Sequence, residues 1–175
     1  MKYVALLRGI NVGGGRKVDM KILKSELEVK GYEDVSTYIN SGNIFFESSK
    51  SHDVVRNDFE KLLKSEFGLD VPTLIKTRTQ IEKIAKSIPS DWENDKEQKS
   101  DVAYLFEEID NQDVVNQLPF KTEYMTVKYV KGALLWNVAR DDVNKSQLSK
   151  IVGHKLYKYM TVRNVNTARY LAQNH

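Results

Sequence analysis

At 175 residues the chain can bury a substantial core as one domain or as two small lobes, and its 41% apolar and 29% charged residues, with nine glycines and three prolines, match ordinary globular usage rather than disorder. The absence of cysteine excludes thiol chemistry, Fe–S clusters, cysteine zinc sites and a disulfide scaffold, and agrees with a reducing compartment, so a cytoplasmic location is expected. The net charge of +3 conceals an asymmetry, because residues 1–120 carry 17 Lys+Arg against 21 Asp+Glu while residues 121–175 carry 10 against 3; the basic last third reads either as a polyanion-binding face or as a solvated lysine surface beside an acidic lobe.

The chain enters a strand pattern directly, without a charged segment followed by an apolar one, and no apolar run approaches the ~18 residues of a membrane span. A soluble protein made in its final form, with no membrane partner, is the expectation. Lys2 to Arg8 reads as a strand with apolar residues on both faces, Val4 and Leu6 on one and Tyr3, Ala5 and Leu7 on the other, which predicts a central strand covered twice. After the glycines, Asp19 predicts a helix cap, with Met20, Leu23 and Leu27 on one face, Ile22 beside them, and an end before Gly31. Val35–Ile39 and Ile44–Glu47 predict a hairpin around Asn40-Ser41-Gly42-Asn43. A helix opened by Ser51 or Asp53 then carries Val55, Phe59, Leu62 and Leu63, closes at Gly68 and leads to a strand over Val71–Lys76.

That order is β-α-β-β-α-β, the ferredoxin-like plan, assigned to residues 1–76. Residues 77–100 predict a connecting helix over Thr77–Ile88, stopped by Pro89, and a polar linker from Ser90 in which only Trp92 is apolar. Residues 101–175 repeat the order of elements without a convincing residue-by-residue repeat. Strands are predicted at Val102–Phe106, Met125–Val130 and Ala133–Val138, the last two joined at Lys131-Gly132, and helices at Asn111–Leu118 and at Asn144–Val152, the latter with Gly153 as its C′ residue. An edge strand from Tyr157, Tyr159, Met160 and Val162 and a terminal helix capped by Asn164 complete the set. The fold class is therefore α+β: two ferredoxin-like lobes with antiparallel sheets and a C-terminal helical tail.

Three stretches stand apart from this frame. Ala5-Leu6-Leu7-Arg8-Gly9-Ile10-Asn11-Val12-Gly13-Gly14, Thr37-Tyr38-Ile39-Asn40-Ser41-Gly42-Asn43 and Thr161-Val162-Arg163-Asn164-Val165-Asn166-Thr167 resemble the signature stretches of DUF1697, a bacterial family known only as a domain of unknown function. The resemblance spans essentially the whole chain and implies an α+β protein with ferredoxin-like lobes; it implies no activity. Two positions depart from the family pattern, Asn40 where Gln is expected and Val165 where an aromatic residue is, so no stacking role carries over to Val165.

Read by their chemistry, Arg8 to Gly15 follow a strand and precede a helix, the setting in which backbone N–H groups hold an anion, with Arg8, Arg16 and Lys17 adding charge. Neither G-x-G-x-x-G nor G-x-x-x-x-G-K-[ST] is present, so no nucleotide fingerprint and no cofactor is indicated, and the glycines read equally as a turn with Arg8 paired to a carboxylate. Gly42 and the asparagines around it are explained by a hairpin turn or by ligand contact, and Arg163 with Asn166 by phosphate or carboxylate recognition or by an inter-element ion pair. His52, His154 and His175 stand isolated, which predicts no metal site; the acidic residues from Asp91 to Asp101 read as a solvated loop, Asp141-Asp142 as a turn, and Ser41 lacks a nucleophile elbow.

The expected function is binding of a small anionic ligand or nucleotide, with no reaction specified. The candidate ligand residues are Arg8, Asn11, Gly13, Gly14, Asn40, Ser41, Asn43, Arg163 and Asn166, with Arg8 and Arg163 meeting the anion if the C-terminal segment packs against the first lobe. One alternative is single-stranded RNA binding, in which Tyr3, Phe45 and Phe46 stack bases on an open sheet, although the missing Lys/Arg-Gly-Phe pattern and the doubly apolar first strand speak for core aromatics. A protein-interaction module marked by Trp92 is the other alternative. Nothing in the sequence specifies an oligomer, and a monomer is the default.

Overall fold

The first strand sets the frame, because both of its faces are apolar and both are buried: Tyr3, Val4, Ala5, Leu6 and Leu7 are each no more than 1% exposed. In the computed structural model, which describes residues Met1–Asn174, this strand β1 (Lys2–Leu7) is followed by α1 (Met20–Val29), β2 (Glu33–Tyr38), β3 (Asn43–Glu47), α2 (His52–Phe67), β4 (Thr73–Thr77) and α3 (Arg78–Lys86). The second half runs β5 (Gln98–Leu105), α4 (Val114–Gln117), β6 (Met125–Val130), β7 (Ala133–Ala139), β8 (Met160–Asn164) and α5 (Val165–Gln173). The chain divides into two units, Met1–Arg78 and Thr79–Asn174. Each holds a four-stranded antiparallel sheet, in the orders β2-β3-β1-β4 and β6-β7-β5-β8. These are two ferredoxin-like lobes, with the first strand of each in an inner position and a helix at the C-terminal end. Among the described residues no helix is long and apolar enough to cross a membrane.

In the first unit one face of the sheet (Tyr3, Ala5, Leu7, Ile44, Phe46, Ile75) meets Leu23 and Leu27 of α1 and Val55, Phe59, Leu62 and Leu63 of α2. Phe46 is its centre, stacked on Tyr3 with ring centroids 5.5 Å apart and packed on Phe59 at 5.0 Å and on the edge of Tyr32 at 5.3 Å; pairs in these geometries add about 0.5–1.5 kcal/mol each beyond their buried area. Asp19 caps α1, its Oδ1 accepting from the N–H groups of Lys21 (2.8 Å) and Ile22 (3.2 Å), and Gly68 ends α2 in the left-handed region at φ 67°. Ile22, expected beside the buried face, is 50% exposed.

In the second unit Ala103, Leu105, Leu134, Trp136 and Val138 form the corresponding core face. Asn164 caps α5 through Thr167 N–H at 2.9 Å as expected, and the edge strand β8 pairs with β5 but starts at Met160, because Tyr157–Tyr159 form a 3-10 turn ahead of it. The middle helices are corrected. Instead of a helix over 144–152 there is a 3-10 segment, Leu148–Gly153, because Ser146 diverts the backbone: its Oγ donates to Val143 O (2.8 Å) and accepts from Leu148 N–H (3.3 Å), and Gln147 turns left-handed at φ 59°. Gly153 lies inside that segment and does not adopt the left-handed cap conformation. The helix expected over 111–118 shrinks to the single turn α4: residues 111–113 form a turn, with Val114 N–H donating to Asn111 O at 3.3 Å and Val115 N–H to Gln112 O at 3.4 Å, and Leu118, ahead of Pro119, is extended at ψ 152°. Nor is the acidic run to Asp101 wholly solvated: Asp101 is 5% exposed, accepts Trp136 Nε1–H at 3.1 Å and pairs with Lys99 at 3.1 Å.

Candidate functional site

Between β1 and α1 the chain spends twelve residues, Arg8–Asp19, on a loop without regular structure. Its base is closed by Asn11. The backbone N–H of Asn11 donates to Arg16 O at 3.2 Å, its side-chain Oδ1 accepts from Val18 N–H at 2.9 Å, and its Nδ2 donates to Val18 O at 3.0 Å. The side-chain amide thus pairs with Val18 as a strand backbone would. Asn11, Gly13, Gly14 and Arg16 all have positive φ (54°, 61°, 81° and 46°), which explains glycine at two of these positions and asparagine, the most tolerant side chain, at a third.

The same Asn11 Nδ2 donates at 2.8 Å to the carbonyl of Asn40, 29 residues away in the β2–β3 turn. That turn is pressed against β1. Leu7 N–H donates to Gly42 O at 2.8 Å, and a Cβ on Gly42 would stand 2.6 Å from Leu7 Cβ and 3.0 Å from Ile10 Cδ1, so position 42 requires glycine for space as well as for its φ of 78°. Asn43, fully buried, holds the turn from inside by donating to Tyr38 O and Ser41 Oγ, each at 3.0 Å. The first two signature stretches are therefore one local assembly.

Their junction leaves an open cleft of about 580 Å³. Asn11, Gly14, Gly15 and Asn40 line it from the two stretches, Lys17, Asp19 and Lys21 bring the charges, and Val18 and Met20 complete the wall. The carboxylate of Asp19 is engaged by the first N–H groups of α1, so the helix terminus is satisfied from within, and Lys17 and Lys21 are the other charged side chains of the lining. Among the described residues that line the cleft, Asp19 is the one carboxylate and none is a histidine.

Of the residues singled out from sequence, Asn11, Gly14 and Asn40 line the cleft; Gly13, Ser41 and Asn43 belong to the same two stretches but serve the turns. Arg8 is half-buried, its backbone N–H donating to Pro72 O at 3.1 Å, and it does not line the cleft. Gly15, Lys17, Val18, Asp19, Met20 and Lys21 are the lining residues missing from the candidate set, although Lys17 was expected to add charge to the glycine loop. The available signal was two lysines bracketing a helix-cap aspartate.

Arg163 and Asn166 lie in the second unit. Arg163 is 8% exposed; its Nη1 donates to Thr161 Oγ1 and to Val162 O, each at 2.9 Å, and burial pushes its guanidinium down to about 10. It stands opposite Val102 in the β5–β8 register, beside Tyr104, whose buried hydroxyl has no hydrogen-bond partner among the described residues and is raised by that burial. Asn166 is exposed on the first turn of α5. Tyr3 and Phe46 belong to the helix-facing core and Phe45 is 2% exposed, so none of the three aromatics presents a stacking surface; Trp92, 7% exposed, is likewise buried. His52 is held by Ile75 O at 2.9 Å, His154 Nδ1 accepts from Leu156 N–H at 3.3 Å, and His175 lies outside the described residues. Among the described residues no three His, Asp or Glu side chains cluster as metal ligands.

Two further clusters are structural in geometry. Asp58 Oδ2 accepts from Tyr32 Oη (2.8 Å) and Lys50 Nζ (2.7 Å); partial burial would raise this carboxyl, but those two partners outweigh it and hold it below the usual carboxylate range. Asp110 Oδ1 accepts from Gly132 N–H (2.8 Å) and Tyr129 Oη (2.9 Å), with Lys131 at 2.9 Å from Oδ2, and these likewise overcome burial and depress it.

Comparison with known proteins covers the first two of the three stretches by family and most of the chain by structure. The profile of the family described as "Protein of unknown function (DUF1697)" matches residues 1–136. The conserved bacterial protein SP0830 from Streptococcus pneumoniae has a solved structure similar to this one, with a TM-score of 0.85 and 27% identity over 98% of this chain and 97% of that one. No curated protein matches the sequence.

Proposed function

Since the chain belongs to the DUF1697 family of proteins of unknown function, and takes no activity from it, we propose on the geometry alone that it binds a small anionic ligand, nucleotides included, in the cleft between the glycine loop and the β2–β3 turn. One observation carries the reading: two signature stretches, tied by the Asn11–Asn40 hydrogen bond, jointly form a cleft of about 580 Å³ whose ligand-facing charges are Lys17 and Lys21. That volume lies within the ~300–1,000 Å³ usual for small-molecule sites. In this reading Lys17 and Lys21 neutralise the anion, exposed backbone N–H groups of the glycine loop approach it closely, and Asn11 and Asn40 hold the two walls in register. Arg8, Arg163 and Asn166 are not required. The cytoplasm is the proposed compartment, in keeping with the cysteine-free sequence.

A thermal-shift screen of phosphorylated metabolites, nucleotides and short RNAs on the whole chain tests this, because a ligand that prefers the native state raises its apparent stability. At least one phosphorylated compound raises the melting temperature, and Lys17→Ala combined with Lys21→Ala abolishes the shift. A shift that survives the double substitution, or no shift from any anion, overturns the reading.

A further inference from the structure

The side chains that line the cleft divide into those the fold uses and those it leaves to a ligand. Asn11 is used completely, its amide holding Val18 and the Asn40 carbonyl. Val18 and Met20 are taken up by the core, with 4% and 7% of their surface exposed. Four exposed side chains of the lining remain, Lys17, Asp19, Lys21 and Asn40.

Within the described residues these four have bonding capacity to spare. Neither lysine ammonium group forms a hydrogen bond or an ion pair. Asp19 caps α1 with Oδ1 alone, and its Oδ2 accepts nothing. Asn40 is tied to Asn11 through its backbone carbonyl, which leaves its side-chain amide unbonded. In the loop above them the N–H groups of Gly13 and Gly14 likewise donate to no described residue.

These groups are of two kinds. The ammonium and backbone N–H groups only donate, which suits a phosphate. The spare carboxylate oxygen of Asp19 would repel a bare anion, and it becomes favourable when the ligand brings a donor next to its phosphate. A carboxylate oxygen together with an amide that both donates and accepts matches hydroxyl groups, which also do both. A ligand ammonium group would meet Asp19 but also Lys17 and Lys21, each two residues from it, whose charge opposes it.

We infer that the ligand is a phosphorylated polyol of the sugar-phosphate kind, its phosphate on Lys17, Lys21 and the glycine-loop N–H groups and its hydroxyls on Asp19 Oδ2 and the Asn40 amide. This rests on the reading of the cleft as an anion site and specifies its ligand class. Asn40 then has two roles: its carbonyl ties the walls together and its side chain selects the ligand.

Calorimetric titration of the full chain with glucose 6-phosphate, ethyl phosphate and phosphoethanolamine separates the parts, since all three are phosphate monoesters and differ in what the phosphate carries. Glucose 6-phosphate binds at least about tenfold more tightly than ethyl phosphate, the increment of a few hydrogen bonds including one to a charged group. Asn40→Ala lowers glucose 6-phosphate affinity about fivefold and leaves ethyl phosphate affinity unchanged. Asp19→Asn preserves the helix cap, because asparagine caps as well as aspartate. Removing that charge leaves ethyl phosphate binding unchanged or strengthens it, yet glucose 6-phosphate binding falls at least about threefold. Equal affinities for glucose 6-phosphate and ethyl phosphate, tighter binding of phosphoethanolamine than of either, or substitutions that change both esters alike overturn the polyol assignment and leave the anion site standing. If none of the three binds, both readings fall.

Discussion

The two units solve the same junction in opposite ways. In each, the first strand ends on a leucine whose N–H donates to a left-handed glycine in the following hairpin turn, Leu7 to Gly42 at 2.8 Å and Leu105 to Gly132 at 2.9 Å. In each, the next N–H donates to the segment just before the last strand, Arg8 to Pro72 O and Phe106 to Tyr159 O. A side chain a few residues further on then secures the turn. In the first unit it is Asn11, donating to Asn40 O; in the second it is Asp110, accepting from Gly132 N–H and Tyr129 Oη. What lies beyond differs. After Asn11 the chain opens into a glycine loop and a cleft, whereas the second unit passes through a 3-10 turn, Glu107–Ile109, which itself leads into Asp110. The repeated frame accounts for the tether and not for the glycine loop, so that loop is where a function distinct from folding is to be sought.

The largest expected effect falls on the shared anchor. Gly42→Ala places a methyl group 2.6 Å from Leu7 Cβ at φ 78°, and costs roughly 3 kcal/mol from left-handed strain and overpacking together. Gly68→Ala has the same strain but open space around it, and costs only about 1 kcal/mol. Urea midpoints for the pair measure how tightly the turn is pressed on β1; equal losses would show that the close approach is relieved by a shift.

Next come the tethers. Asn11→Ala and Asp110→Ala each strip a partly buried backbone partner, at about 2 kcal/mol apiece. Hydrogen exchange is expected to show faster opening of residues 8–19 and 38–43 in the first and of the β6–β7 turn in the second. Loss of protection on both sides of the chain from either substitution would break the parallel between them.

The carboxylates give a smaller, pH-dependent effect. Asp58 and Asp110 are both depressed in the folded protein. Each therefore contributes stability that is complete above the unfolded carboxylate value of about 3.9 and is lost as pH falls through the lower folded value. Asp58→Asn and Asp110→Asn flatten the acid limb of a stability–pH curve below about pH 4. Unchanged acid limbs would mean that the hydrogen bonds do not favour the ionised form.

Smallest of all is the effect of the cleft lysines on folding. Lys17→Ala and Lys21→Ala change stability by no more than about 0.5 kcal/mol, as exposed substitutions do, while removing ligand-induced thermal shifts. A marked loss of stability would make them structural and weaken the functional distinction between the units.

Much of this frame could be read along the chain. The doubly apolar run from Tyr3 to Leu7, the cap at Asp19, the left-handed stop at Gly68 and the cap at Asn164 are short-range signals, each carried by a few neighbouring residues. Where local polar competition was strong, as at Ser146, or where turn hydrogen bonds to Asn111 and Gln112 displaced the first helical turn, the same signals overstated helix length. Sequence by itself determined that two ferredoxin-like sheets would form and that three polar stretches stood apart from them, because periodicity, capping and turn chemistry act within one or two turns of chain. Only the tertiary structure decided that Asn11 reaches Asn40, that Gly42 must be glycine because Leu7 lies against it, and that Lys17 and Lys21 rather than Arg8 line the resulting cleft. Those facts depend on contacts between residues tens of positions apart, whose distances are set by how strands and loops pack and by nothing in the local pattern of either partner.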